Sequence, residues 1–386
     1  LSVNGVILVG AIFASLANTN TNTKTNTRNV AVRELVQPSG VGVGIGIGIE
    51  ERGEIELTVE GRSYWKRFVI RYPVRLEDWN RALVVGAHGG SGGESYSRDG
   101  RVIGTDETAL DDVVGNHALA NGFAYASVDR DGIGGSPMGL ALTHSFAAAV
   151  RQRLIDVFDR GLERSYLVGL SMGGAIARYA AEEEPPKFDG VLLVAGAGGD
   201  AETRRLRQAR MAELWPNVDA SSTDDDALIA AYAEAVGTPV EARRFWPFLG
   251  SAASSGPAAS EARDSTGELR VPAIEVVGTF DDFVFSDIGA YSEKVASRGA
   301  SSYHRVYSVE GAWHISPDDD AISSFQFVGS RRGLAKNVLD DMATGASYLP
   351  VVRDALVLLE RWVWSGIQPP PSQTIAGNAR LISEQP

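Results

Sequence analysis

From residue 53 onward, apolar and polar positions fall into a regular rhythm. Residues 54–61 (EIELTVEG) and 64–73 (YWKRFVIRYP) alternate with period two, which predicts two antiparallel strands joined by a turn at Gly61. Residues 81–90 (RALVVGAHGG) read as a buried strand ending in a glycine loop, and 122–137 as another strand with a glycine-rich exit. Helical periodicity covers 143–161 and stops at Gly161. Residues 164–170 (RSYLVGL) are a strand and 173–184 (GGAIARYAAEEE) a helix. Its three glutamates read as a solvated end that opposes the helix dipole before Pro185. The next strand lies within 188–198.

The rhythm then breaks. Between 199 and 269 the helical stretches 201–215 and 224–237 occupy the place of one crossover, more than a crossover needs. It resumes with strands in 271–282 and 301–314 and a closing helix over 351–366. Strands alternating with helices after an antiparallel start imply an α/β fold with a mostly parallel central sheet covered on both faces. The expected division is a core of residues 51–198 and 271–372, a helical cap insertion at 199–270, and a C-terminal tail at 373–386. Ligands bind at the carboxyl ends of strands in such sheets, and the insertion follows a strand end there.

The candidate chemistry centres on Gly169-Leu170-Ser171-Met172-Gly173. A serine hydroxyl is a poor nucleophile unless its oxygen is exposed and a base adjoins it. A tight strand-to-helix turn exposes it. Glycines two residues before and after remove side chains that would clash, and the following helix aims N–H groups at developing negative charge. Of five histidines, His314 follows the last predicted strand at a loop and is the expected base. His304 lies within that strand as a packing or surface residue, and His117, His144 and His88 read as structural. Asp281 is the favoured acid. Asp282 reads as a solvated turn residue and Asp287 is a weaker third. The oxyanion hole needs two N–H groups: Met172 is expected to give one, and the loop 87–93 the other, with Gly90 first and Gly89 second. Trp313 is a candidate substrate-binding wall. Trp215, Phe245, Trp246 and Phe248 are candidate cap linings.

Composition narrows the field. A net charge of -13 argues against a broad nucleic-acid surface. With no cysteine, disulfides, thiolate catalysis and Cys-ligated zinc are excluded. Acidic runs at 224–226 and 318–320 read as helix N-terminal charge rather than calcium ligands. No metal or cofactor is expected. Residues 1–17 read as a signal-peptide remnant ending in Ser15-Leu16-Ala17, too short to span a bilayer. This predicts a secreted or periplasmic protein, with a cytoplasmic one carrying an unstructured tail as the alternative. Residues 18–50 read as a low-complexity linker, disordered over 18–29. The alternating glycines of 41–50 weaken any strand there.

His88-Gly89-Gly90, VDRDGIGGSP (128–137), GLSMGG (169–174), GTFDDFV (278–284) and GAWH (311–314) together resemble the serine hydrolases of the α/β-hydrolase superfamily. The likeness spans roughly 81–366. The ending LERWVWSGIQPPPS (359–372) is also similar to tannase- and feruloyl-esterase-like esterases. The glycine loop departs from the lipase HGGG pattern by Ser91 in the fourth place. The resemblance implies a carboxylic-ester hydrolase acting on a small-molecule ester through Ser171, His314 and Asp281 without a metal. An acyltransferase, a peptidase or thioesterase, and a non-catalytic binding protein are the alternatives. Dehalogenase and epoxide-hydrolase relatives carry Asp at the nucleophile position.

Overall fold

The computed structural model describes residues 26–37, 45–89, 114–130, 135–196, 209, 263–314 and 345–382. Among the described residues ten strands form one sheet: β1 (Thr27–Gln37), β2 (Ile45–Val59), β3 (Arg62–Tyr72), β4 (Ala82–Ala87), β5 (Ala124–Val128), β6 (Arg164–Leu170), β7 (Gly190–Val194), β8 (Ala273–Gly278), β9 (His304–Val309) and β10 (Gln373–Ile375). Their spatial order is β1-β2-β3-β5-β4-β6-β7-β8-β9-β10. The first three strands pair antiparallel, β3 pairs antiparallel with β5, and everything from β5 to β10 is parallel.

Central strands β4 to β8 are buried along their whole length. Such strands need cover on both faces. Leu83, Val85 and Leu167 pack with helices α2 (Pro137–Phe158), α3 (Gly173–Ala181) and α4 (Asp282–Ser297). On the opposite face Val84, Tyr166 and Val168 pack with α1 (Asn116–Ala120) and α5 (Leu349–Ser365). Helix α2 begins earlier than the periodicity predicts. Ser136 caps it by accepting from the Gly139 N–H at 3.2 Å, and Pro137 occupies the first turn.

Three sequence readings change. The first concerns the 18–50 linker, since Thr27–Gln37 and Ile45 onward are strands. One of the glycines that weaken the pattern is required by packing: a Cβ at Gly48 would fall 2.5 Å from Leu119 Cδ2 and 2.8 Å from the Tyr72 carbonyl oxygen. β1 buries little, with Val30 and Val32 exposed. It is held by its ladder and by Arg28–Glu54 (3.0 Å) and Arg33–Glu50 (2.6 Å). Glu50 is buried and also meets Arg52 (2.9 Å) and Arg71 (2.8 Å). Burial would raise its pKa, but the arginines outweigh it and hold the carboxyl at about 2.

The second change concerns the tail from 373. β10 extends the sheet beside β9, and the buried Asp354 of α5 accepts from the Leu381 and Ile382 N–H groups (2.9 and 3.0 Å) and from Arg380. An edge strand of three residues carries too little pattern to be read.

The third concerns the glutamates after α3. Glu182 is buried rather than solvated. It accepts from the N–H groups of Thr266 and Gly267 (2.8 Å each) and from the Tyr291 hydroxyl (2.9 Å). Of the insertion 199–270, only residue 209 and 263–270 are described. Residues 1–25 also lie outside the described residues. Among the described residues no helix is long and apolar enough to cross a membrane.

Candidate active site

Strand β6 delivers Ser171 at its carboxyl end. The Ser171 N–H still donates to the Val194 carbonyl (3.0 Å), prolonging the ladder by one residue. The chain then turns at once: Ser171 has φ 51°, left-handed for an L-residue, and Gly174 N–H donates back to its carbonyl (2.8 Å). That conformation costs roughly 1–3 kcal/mol and must be held by its surroundings. Glycines make room for it. A Cβ at Gly169 would lie 2.3 Å from the Gly173 carbonyl oxygen, and one at Gly173 would lie 2.0 Å from that of Ala87.

Asp281 and His314 come from two loops that are tied together. Past β8, Thr279 N–H donates to Val309 O (2.9 Å) and Phe280 N–H to Ala312 O (3.0 Å). Past β9, Gly311 N–H donates to the Thr279 hydroxyl (3.1 Å). At Gly278 a Cβ would strike the Ala312 carbonyl oxygen at 2.1 Å, so these loops approach only because that residue is glycine. Asp281 and His314 are both buried. His314 Nδ1 lies 2.5 Å from Asp281 Oδ2, and Nε2 lies 2.8 Å from Ser171 Oγ. A carboxylate can only accept, so Nδ1 carries the proton and Nε2 is left to accept from the serine hydroxyl. The chain of contacts can therefore draw a proton off Ser171 and stabilise the resulting imidazolium.

Met172 sits at the start of α3, and Gly89 packs against the serine: a Cβ there would lie 3.0 Å from Ser171 Cβ. Gly90 lies outside the described residues, as do the Asp282 side chain, both acidic runs and the four cap aromatics.

The remaining candidates stand elsewhere. Asp287 faces Arg178 Nη1 at 2.8 Å. His304 is buried against Glu275 at 3.0 Å. His144 lies between Glu183 and Lys187, each at 3.1 Å, and His117 Nε2 is 3.2 Å from the Arg353 carbonyl oxygen. His88 is buried, and its carbonyl accepts from Arg130. Trp313 is only 2 % exposed, tilted against Phe280 at 4.7 Å, and its indole leaves no room for a Cβ at Gly345. Its packing is that of a wedge between loops rather than an open wall. Sequence reasoning missed Tyr348, whose hydroxyl donates to the His314 carbonyl (2.7 Å), and Arg130. Tyr348 sits at no spacing that marks it, whereas Arg130 lies within the VDRDGIGGSP stretch, which the sequence reading quoted without giving this residue a role.

The family model described as "Serine aminopeptidase, S33" matches residues 108–319, more than half of the 386 residues. The chain belongs to that family. This S33-family chain is thus a serine hydrolase of the α/β-hydrolase superfamily, and its strand order and two-faced helix cover are those of that fold. Among solved structures it is similar to feruloyl esterase B from Aspergillus oryzae, at 12% identity and TM-score 0.49, over 91% of this chain and 89% of that one. It is also similar to a lipase in open form, at 18% identity and TM-score 0.42, over 75% and 98%. A thermostable carboxyl esterase from Bacillus coagulans matches at 14% identity and TM-score 0.41, over 73% and 98%.

Proposed function

We propose that this hydrolase cleaves carboxylic esters of small molecules through an acyl-enzyme intermediate. The observation that carries the reading is the continuous contact from Ser171 Oγ through His314 to the buried Asp281, mounted on a serine of positive φ. Ser171 Oγ attacks the acyl carbonyl as His314 Nε2 takes its proton. Asp281 holds the imidazole with Nδ1 protonated and balances the imidazolium. The oxyanion receives N–H groups from Met172, at the positive end of α3, and from the loop that begins at Gly89. His314 then protonates the leaving alcohol. In the second half it deprotonates the water that releases the acid and regenerates Ser171.

An ester asks least of this arrangement, since an alcohol leaves more readily than an amine. The test is hydrolysis of p-nitrophenyl acetate and butyrate, with labelling of Ser171 by a fluorophosphonate. Turnover that survives Ser171→Ala would sink the mechanism. The family description favours a second reading, peptide-bond hydrolysis at an amino terminus. Aminoacyl p-nitroanilides cleaved faster than the esters would establish it. An alcohol acceptor that diverts the acyl group from water would instead mark an acyltransferase.

A further inference from the structure

The segment that follows β5 carries one of the most completely buried large side chains among the described residues, Arg130, at 1 % exposure. Burying a guanidinium is costly unless its donors are used, so the partner it meets is informative. Its Nη2 donates to the backbone carbonyl of His88, the residue before Gly89. A trans peptide is planar, and its C=O and N–H point in opposite directions. Fixing the His88 carbonyl toward Arg130 therefore fixes the Gly89 N–H on the other side of the same plane. Gly89 is the residue that lies against Ser171, where a Cβ would be 3.0 Å from the serine Cβ and 3.7 Å from Oγ.

The same segment touches the other wall of the site. Five residues on, Gly135 packs on Met172, and a Cβ there would lie 2.9 Å from the Met172 carbonyl oxygen. Arg130 and Gly135 thus touch the two backbones that flank the space above Ser171. The sequence reading singled out the stretch 128–137 without giving Arg130 a role, and no step of the mechanism above uses its charge.

We propose that Arg130 is a positioning residue for the oxyanion hole: through the His88 carbonyl it sets the plane of the His88–Gly89 peptide and so aims the start of the oxyanion loop. The proposal rests on the serine-hydrolase reading of Ser171. Its effect belongs to the transition state, because donors aimed at the oxyanion bind the tetrahedral species better than the planar ester.

The experiment compares wild type, Arg130→Met and Arg130→Lys in p-nitrophenyl butyrate hydrolysis, with the inhibition constant of an aryl trifluoromethyl ketone, which binds serine as a tetrahedral oxyanion. Active sites are counted by fluorophosphonate titration, so that a loss of folded protein is not read as a loss of rate. For Arg130→Met, kcat per titrated site should fall about 100-fold with KM little changed, and ketone affinity should weaken in step. Arg130→Lys keeps one donor and should fall about tenfold, again with parallel weakening of the ketone. A merely structural role would lower the number of titrated sites and leave both constants per site unchanged, and that result overturns the proposal. If Arg130→Met does not fold, the lysine variant decides: wild-type kcat and ketone affinity per site overturn it. Wild type that turns over no acyl substrate would overturn the underlying reading as well, whereas turnover abolished by Ser171→Ala but untouched by Arg130→Met overturns the Arg130 assignment alone.

Discussion

Strands β8 and β9 carry two buried carboxylate–histidine pairs, one toward each end. Near the amino end Glu275 meets His304 at 3.0 Å, and past the carboxyl end Asp281 meets His314 at 2.5 Å. A six-residue strand separates them by roughly 20 Å. The pairs are alike in chemistry and differ in what stands behind them. Glu275 also faces Arg178 at 3.5 Å, and that guanidinium reaches Asp287 and lies 4.2 Å from the centre of the Tyr291 ring. Burial would raise the Glu275 pKa, yet Arg178 and His304 hold it below the usual carboxylate range. The histidine of the other pair faces a serine hydroxyl at 2.8 Å. The first pair is enclosed by further ion partners, whereas the ring of the second has a hydroxyl within reach from which to take a proton. The pair that faces the serine is the one at the carboxyl end of the parallel strands, where such sheets bind their ligands.

The largest expected contrast lies in the histidines. His314→Ala or Ser171→Ala should cut kcat about 10⁶-fold. His304→Gln should leave kcat/KM within about threefold, because sites this far apart act independently. Steady-state ester hydrolysis on folded protein measures both, and a large rate loss from His304→Gln would break the comparison. The acids come next. Asp281→Asn should lower kcat about 10⁴-fold through the wrong histidine tautomer. Glu275→Gln should instead remove about 3 kcal/mol of stability by stranding part of the Arg178 charge. Urea unfolding alongside kinetics separates the two effects.

The carboxyl end also depends on missing side chains. Gly173→Ala should destabilise by about 3 kcal/mol or more, since its Cβ has no space. Gly161→Ala, with nothing within 4 Å of the added carbon, should change stability by under about 0.5 kcal/mol.

A pH scan of thermal stability probes the paired carboxylates. Glu50 titrates at about 2 when folded, against an ordinary 4.5. The folded state binds fewer protons in that window. Its contribution of about 3 kcal/mol is therefore complete above the ordinary value and lost as pH falls toward 2. Burial, together with Lys187 and Arg151, pushes His144 down to about 4 despite Glu183, so a first decline should begin below the ordinary histidine value of 6.5. Glu50→Gln should make the lower limb shallower. A smaller effect than that of Glu50 is expected from Tyr348→Phe, about 1 kcal/mol of stability with a modest drop in kcat, from losing the bond to the His314 carbonyl.

The carboxyl end was the more legible in sequence. Sterics dictate glycines at 169 and 173 around a serine of positive φ, and the chain order of Ser171, Asp281 and His314 follows the order of the strands that deliver them. The structural end was opaque. Nothing in the local pattern tells that Glu182 turns inward to receive Thr266 and Gly267, or that Glu275 in an apolar strand meets Arg178 from a helix 97 positions earlier. β1 and β10 escaped for a related reason. Edge strands bury little, so they leave little hydrophobic period to read. At Gly48 the residue that argued against a strand is the one that lets it lie against Leu119 and Tyr72.

The inward turn of Glu182 has a consequence for engineering. The chain leaves the described core after Gly196 and returns at Arg263. It is received there by Tyr179, whose hydroxyl donates to the Arg263 carbonyl (2.9 Å), and then by Glu182. Both receivers sit at the far end of the helix that begins beside Ser171. The re-entry point is therefore fixed by contacts within the described core. A foreign segment that ends in the native residues 263–267 should be seated by the helix that follows Ser171.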